Sequence, residues 1–147
     1  MAAPGWDDEG GEEEEPLEYY YPNAGAFVHQ FMIPTFRKHF NDRLHWCTEW
    51  WKHPEALAVL TAMWDSWEHS RQDPWRMAAW FRDVAYPLFD RITSEQGPFV
   101  GCKYGFQDGA IYHEEGRKLT VQQLPIEPIP TGFFQDVETV NDREKPV

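Results

Sequence analysis

Seven of the eight tryptophans, Trp46, Trp50, Trp51, Trp64, Trp67, Trp75 and Trp80, fall between residues 46 and 80. Each buried aromatic removes roughly 150–250 Å² from water, so a cluster this dense dictates where the core lies. One short stretch of chain has to fold around its own rings. A chain of 147 residues has room for one ordinary domain with tails. A few large rings give such a domain the buried area it needs without disulfides or a structural metal.

The spacing around the cluster is helical. Asn23 is an N-cap candidate, and Phe27, Phe31, Phe36 and Phe40 mark one face of a helix over 24–43. Pro34, inside it, removes a backbone donor and predicts a kink or split near Ile33. Residues 45–52 form either a helical turn or an aromatic loop. His53-Pro54-Glu55-Ala56 starts a second helix, with proline at its first position. There Leu57, Leu60, Trp64, Trp67 and Arg71 recur at three- and four-residue steps, the clearest periodicity in the chain. Asp73-Pro74 starts a third helix, with Met77, Trp80, Phe81, Val84 and Leu88 on its apolar face and Pro87 distorting its last turns. Gln96-Gly97-Pro98 is a helix stop. The expected fold is therefore mainly α, a compact domain of three or four helices over residues 23–102.

The flanks differ in character. Residues 1–22 are expected to be a disordered acidic tail, since they hold little to bury. Residues 103–147 are expected to be a second tail. Within it, 110–113 and 118–121 flank Glu114-Glu115-Gly116-Arg117 as a short hairpin. The prolines at 125, 128 and 130 enforce extended chain, and 137–147 should fray.

The formal charge is −12, but residues 1–18 carry eight acids and no lysine or arginine, while 19–102 carry nine acids against eight bases. The helical surface is therefore close to neutral. This argues against mimicry of DNA, which needs acids spaced over a folded surface, and against a broadly basic nucleic-acid face. No apolar run approaches the roughly 20 residues that span a bilayer. The acidic start has no secretory n-region, so the expected location is the cytoplasm and a disulfide is not expected there.

Cys47, His53 and Cys102, with His45 or His69 in addition, are residue types that zinc accepts. Their spacing matches no recognised metal motif, and the simpler reading makes the cysteines small buried hydrophobes. No metal and no cofactor are expected on that reading. No Gly-rich phosphate loop, nucleophile elbow or His-Glu-x-x-His pair occurs. Glu68 and Arg71, at i and i+3 on one helix, read as a pair with each other rather than as catalytic groups. Trp64, Trp67 and Trp80 lie on the predicted buried stripes and join Glu68 and Arg71 as structural core. Trp50, Trp51 and Trp75 lie off those stripes. With Arg76 beside Trp75, they are the candidates for binding a partner, while Trp51 beside Lys52, Trp75 beside Arg76 and Trp80 beside Arg82 are the pairs suited to stacking on single-stranded nucleic acid.

Residues 46–102 also carry a longer pattern: Trp46-Cys47, Trp50-Trp51, His53-Pro54-Glu55-Ala56, Leu60, Trp64, Trp67-Glu68, Arg71, Trp80, Gly97-Pro98-Phe99 and Cys102. This pattern resembles a family of small actinobacterial proteins classed as a domain of unknown function, whose members occur on plasmids, integrative elements and phages. The Pro-rich stretch Leu124 to Phe134 is similar to that family's ending. Where the family carries a His-Ala-Asp stretch in the third helix, this chain has Val84-Ala85-Tyr86. The resemblance implies a mobile-element context and no particular reaction. The leading expectation is a non-catalytic interaction or accessory protein with a protein partner and no membrane contact. The alternatives are a nucleic-acid-associated factor for plasmid or phage DNA and a small metal-dependent or hydrolytic enzyme.

Overall fold

The computed structural model describes residues 17–39, 43–102, 114–115, 118–119 and 121–144. The acidic run 1–16, Phe40 and segment 103–113 lie outside the described residues. The fold is mainly helical. Helix α1 covers residues 24–35, α2 Pro54–Ser70, α3 residues 74–92, and a short α4 Val140–Glu144. Segment 45–52 is a turn followed by a single 3-10 turn, Trp50–Lys52.

The helix starts follow from their caps. The Asn23 side chain accepts the Ala26 amide at 2.8 Å and donates to Asp136 at 2.7 Å. Asp73 accepts the amides of Trp75 and Arg76. His53 precedes Pro54 without a side-chain cap bond.

Neither interior proline splits its helix. A proline lacks the amide proton, and its ring collides with the carbonyl four residues back. Pro34 and Pro87 each follow a π turn, Val28–Met32 and Phe81–Ala85. In each, the residue just before the proline (Ile33 or Tyr86) bonds five residues back, to the Val28 or Phe81 carbonyl. The wider turn absorbs the proline and keeps the helix continuous.

The added residue also rotates the buried face. Val84 and Leu88 are half-buried, and Ala85, Phe89 and Ile92 take the core positions. In α2 the core positions are Ala56, Leu60, Met63, Trp67 and Glu68, with Leu57 and Trp64 at the margin.

Helix α1 ends at Thr35, well short of 43. Phe36 leaves the helical region, and the chain enters strand β1, Lys38–His39. The hairpin is built from β2, Glu114–Glu115, and β3, Lys118–Leu119, with Glu114 opposite Leu119 and Glu115 opposite Lys118. Pairing thus begins inside the stretch assigned to the turn. Strand β4, Val121–Gln122, pairs antiparallel with β1. This pairing satisfies backbone groups that a longer α1 would otherwise have engaged. After α3, Gly97 packs against the helix end. A Cβ there would sit 2.4 Å from the Ile92 carbonyl oxygen, so no larger residue fits.

The Pro-rich stretch is extended, as its prolines require, but it is not a loose arm. Leu124 is buried. The Trp46 indole donates to the Pro125 carbonyl at 2.7 Å, and the Glu127 amide donates to the Thr48 carbonyl at 3.0 Å. Ile129 and Phe134 lie over Gly25, where an added Cβ would come within 2.6 Å of Ile129 Cδ1. The expected fraying of 137–147 does not hold over the described residues 137–144, and 145–147 lie outside them. Val137 donates to the Pro22 carbonyl, Val140 to the Tyr19 carbonyl, and Tyr19 bridges Thr139. Two segments read as separate tails thus satisfy each other's backbone.

Glu68 anchors the incoming N-terminal segment. Its side chain is fully buried and that of Arg71 partly so. Oε1 accepts the Tyr20 amide at 2.8 Å and Arg71 Nε at 3.2 Å. Oε2 accepts the Tyr21 amide at 2.9 Å and the Trp64 indole at 3.0 Å. Arg71 also donates to the Glu18 carbonyl at 2.8 Å. The i, i+3 pair is therefore real, but it faces inward and holds the Tyr19-Tyr20-Tyr21 run against α2. Burial alone would penalise the carboxylate; four donors, one of them the Arg71 cation, make it tolerable.

Candidate functional site

The tryptophans divide differently from the sequence expectation. Trp67 and Trp80 are buried, as expected of core, whereas Trp64 is only half-buried at its margin. Trp50 and Trp51, expected at the surface, are buried at 0% and 3% exposure. The helical stripes could not reveal this, because the burial comes from elsewhere in the chain. Phe134 of the extended segment packs on Trp50 with ring centroids 6.2 Å apart, and His29 of α1 faces both indoles. Trp50 and Trp51 are therefore unavailable as partner anchors.

Trp75 remains. It is 84% exposed, the highest value among the described large hydrophobics. Asp73 and Pro74 place it on the first turn of α3, pointing away from the core. Arg76 follows it, also exposed, with Nε 3.7 Å from Asp73. Beside the pair runs an open groove of about 250 Å³ between α2 and α3, lined by Ser66, Ser70, Arg76, Trp80, Asp83 and Val84. Trp80 forms its floor, with its indole bonded to the Ser66 hydroxyl at 2.9 Å. Trp80 cannot stack with Arg82 on a base, since Trp80 is buried and Arg82 is held by Asp83.

A second cleft, of about 370 Å³, lies between α1 and the extended segment, with Asn23, His29, Gln30, Thr131 and Asp136 among its walls. His29 Nε2 accepts the Trp50 indole proton at 2.9 Å, which requires a neutral imidazole. Burial lowers the His29 pKa to about 4, whereas the unfolded residue titrates at about 6.5. Between those values the unfolded chain binds more protons. The His29 contribution is thus complete above about pH 6.5 and lost as pH falls toward about 4. Denaturation midpoints followed from about pH 7 to about pH 5 should fall in the wild type. The decline should be shallower in His29→Gln, whose amide oxygen can accept from Trp50 without titrating. Equal declines would remove His29 from the acid response.

The third arrangement is one that the spacing conceals. One donor atom each from Cys47, His53 and Cys102 lies within 4.8 Å of the other two. Cys102 Sγ is 3.4 Å from His53 Nε2. Neither His45 nor His69 belongs to the group; His69 bonds the Asp65 carbonyl in its own helix. Cys47 is buried in the turn before Trp50, His53 sits between the 3-10 turn and α2, and Cys102 closes the turn after Phe99. Both cysteines are thiols. Burial, with the neighbouring Cys102 adding to it, pushes the Cys47 thiol up to about 11, against the lowering effect of a Glu49 backbone hydrogen bond. As a lone thiol Cys47 is therefore a poor nucleophile at neutral pH.

Residues 21–130 match the family model described as Domain of unknown function (DUF4913). No curated protein and no solved structure matches the chain.

Proposed function

The chain belongs to that family, whose description assigns no activity, and we propose on this footing that it is a non-catalytic interaction protein that docks a protein partner through Trp75 and Arg76. The carrying observation is the exposure of Trp75 beside Arg76 and the groove over Trp80. Tryptophan and arginine are the residue types that dominate binding energy at interface centres. An indole held out on the first turn of a capped helix contributes little to this fold. The fitting partner presents an apolar pocket for Trp75 and a carboxylate for Arg76.

The sequence resemblance supplies the wider context in this proposal, an accessory role in an actinobacterial mobile genetic element, exercised in the cytoplasm. No helix among the described residues is long and apolar enough to cross a membrane, in keeping with that setting. Coding sequences for replication, transfer or phage functions beside the gene would support the context, and a conserved housekeeping neighbourhood would count against it.

A photo-crosslinking side chain at position 75, compared with one at exposed Ala62, should selectively capture one partner from the native host. With that partner purified, Trp75→Ala should weaken binding by about 30-fold or more. Its folding stability should stay within about 0.5 kcal/mol of wild type. A partner bound equally well by Trp75→Ala would defeat the proposal. The alternative, stacking of the same Trp–Arg pair on single-stranded nucleic acid, predicts retention on an oligonucleotide that falls steeply with salt.

A further inference from the structure

We propose that Cys47, His53 and Cys102 form a zinc site, with two thiolates and one imidazole as protein ligands and solvent as the fourth. The donor set is the first argument. Thiolate and imidazole together select zinc among common cellular cations, and no carboxylate joins them among the described residues. Geometry is the second. Ligand atoms about 2.0–2.3 Å from one tetrahedral ion lie about 3.3–3.8 Å from each other. The 3.4 Å between Cys102 Sγ and His53 Nε2 falls in that range, and the mutual 4.8 Å limit leaves only a small inward adjustment for the rest.

The surroundings also suit an ion. The Phe99 ring packs edge-on against the His53 imidazole, with centroids 5.0 Å apart, and steadies its orientation. The Cys102 amide bonds the Phe99 carbonyl at 2.8 Å, so the same aromatic residue anchors a second ligand. The backbone of Glu49 supports the Cys47 sulfur with a hydrogen bond, the outer-shell arrangement that steadies a metal thiolate. A merely hydrophobic cysteine needs no imidazole nitrogen 3.4 Å from its sulfur, as Cys102 has from His53.

Binding releases two thiol protons and forms two zinc–sulfur bonds and one zinc–nitrogen bond. The dication balances the two thiolates, leaving no net charge in the pocket. The ion would tie the turn at Cys47 and the start of α2 to the far end of the helical domain. This inference does not depend on the Trp75 surface.

The test uses the full chain, purified without an affinity tag in a phosphine reductant. Metal analysis should find about one zinc per chain. After removal of the zinc, Co²⁺ should restore one equivalent of a tetrahedral species with a thiolate-to-cobalt charge-transfer band, and zinc should displace it. Cys47→Ser, His53→Asn and Cys102→Ser should each lower cobalt affinity by about 100-fold or more, beyond the usual effect of outer-shell changes. Zinc should raise the Tm of the wild type but not of Cys102→Ser. Should a variant fail to fold, the wild-type stoichiometry and cobalt spectrum still decide. Substoichiometric metal, metal retained equally by the variants, or a Cys47–Cys102 disulfide in native protein isolated without reductant would overturn the site.

Discussion

Replacing Glu68 with alanine is expected to destabilise the fold by about 3–5 kcal/mol, a large share of the 5–15 kcal/mol typical of a domain. The loss goes beyond one ion pair. The two carboxylate oxygens accept four donors: the amides of Tyr20 and Tyr21, the Trp64 indole and Arg71 Nε. Removing the acceptor strands these donors and leaves the Arg71 cation, 17% exposed at its side chain, without its carboxylate. Glu68→Gln should also be severely destabilising although its shape is retained, because each oxygen receives two donors and the glutamine NH₂ must face one such pair. In urea titrations both variants should lower the midpoint, and hydrogen exchange at Tyr20 and Tyr21 should accelerate ahead of exchange in α2. A Glu68→Ala protein as stable as wild type would mean that the N-terminal run is not held this way.

Trp50→Ala is expected to cost about 3–5 kcal/mol, the range for deleting a buried large aromatic. The residue is fully buried, its ring meets Trp51 edge-on at 5.9 Å, and Phe134 covers it. The substitution opens a cavity and also leaves His29 Nε2 without its donor. The stability change should appear as a lower midpoint at an unchanged m-value. Because Phe134 comes from the extended segment, Phe134→Ala should reproduce part of the loss. Trp75→Ala, with the same change in side-chain size, should be nearly silent. A mild Trp50→Ala together with a severe Trp75→Ala would reverse the assignment of core and surface.

The comparison of these two tryptophans shows where sequence reading stops. Local chemistry was legible. Asn23 and Asp73 are caps, Pro54 starts α2, and Glu68 meets Arg71, because each depends on neighbours within four residues. The prolines were legible as perturbations but not in their outcome. Two different helices absorb them with the same π turn, and the inserted residue shifts the α3 core from Val84 and Leu88 to Ala85 and Phe89. What the sequence could not disclose is contact across distance. Residues 124–140 return to cover Trp50 and to pair with residues 19–23, so an apparent flexible arm is part of the core. The same long reach brings Cys102 to His53, 49 positions away. A spacing search tuned to short motifs passes over this triad. The pairing of cysteine with Gly97-Pro98-Phe99 at one end and with His53-Pro54 at the other was the available signal.

The central claim is a division among indoles: Trp46, Trp50, Trp51, Trp67 and Trp80 build the core, and Trp75 alone among the described tryptophans stands in solvent. It can be tested in one experiment by fluorine NMR of protein labelled with 5-fluorotryptophan, with Trp6 replaced by phenylalanine and each resonance assigned by single substitution. On exchanging H₂O for D₂O, Trp75 should show the large solvent isotope shift of an exposed indole and half-buried Trp64 a smaller one. Trp50 and Trp51 should show almost none. A solvent shift at Trp50 or Trp51 equal to that at Trp75 would contradict the account.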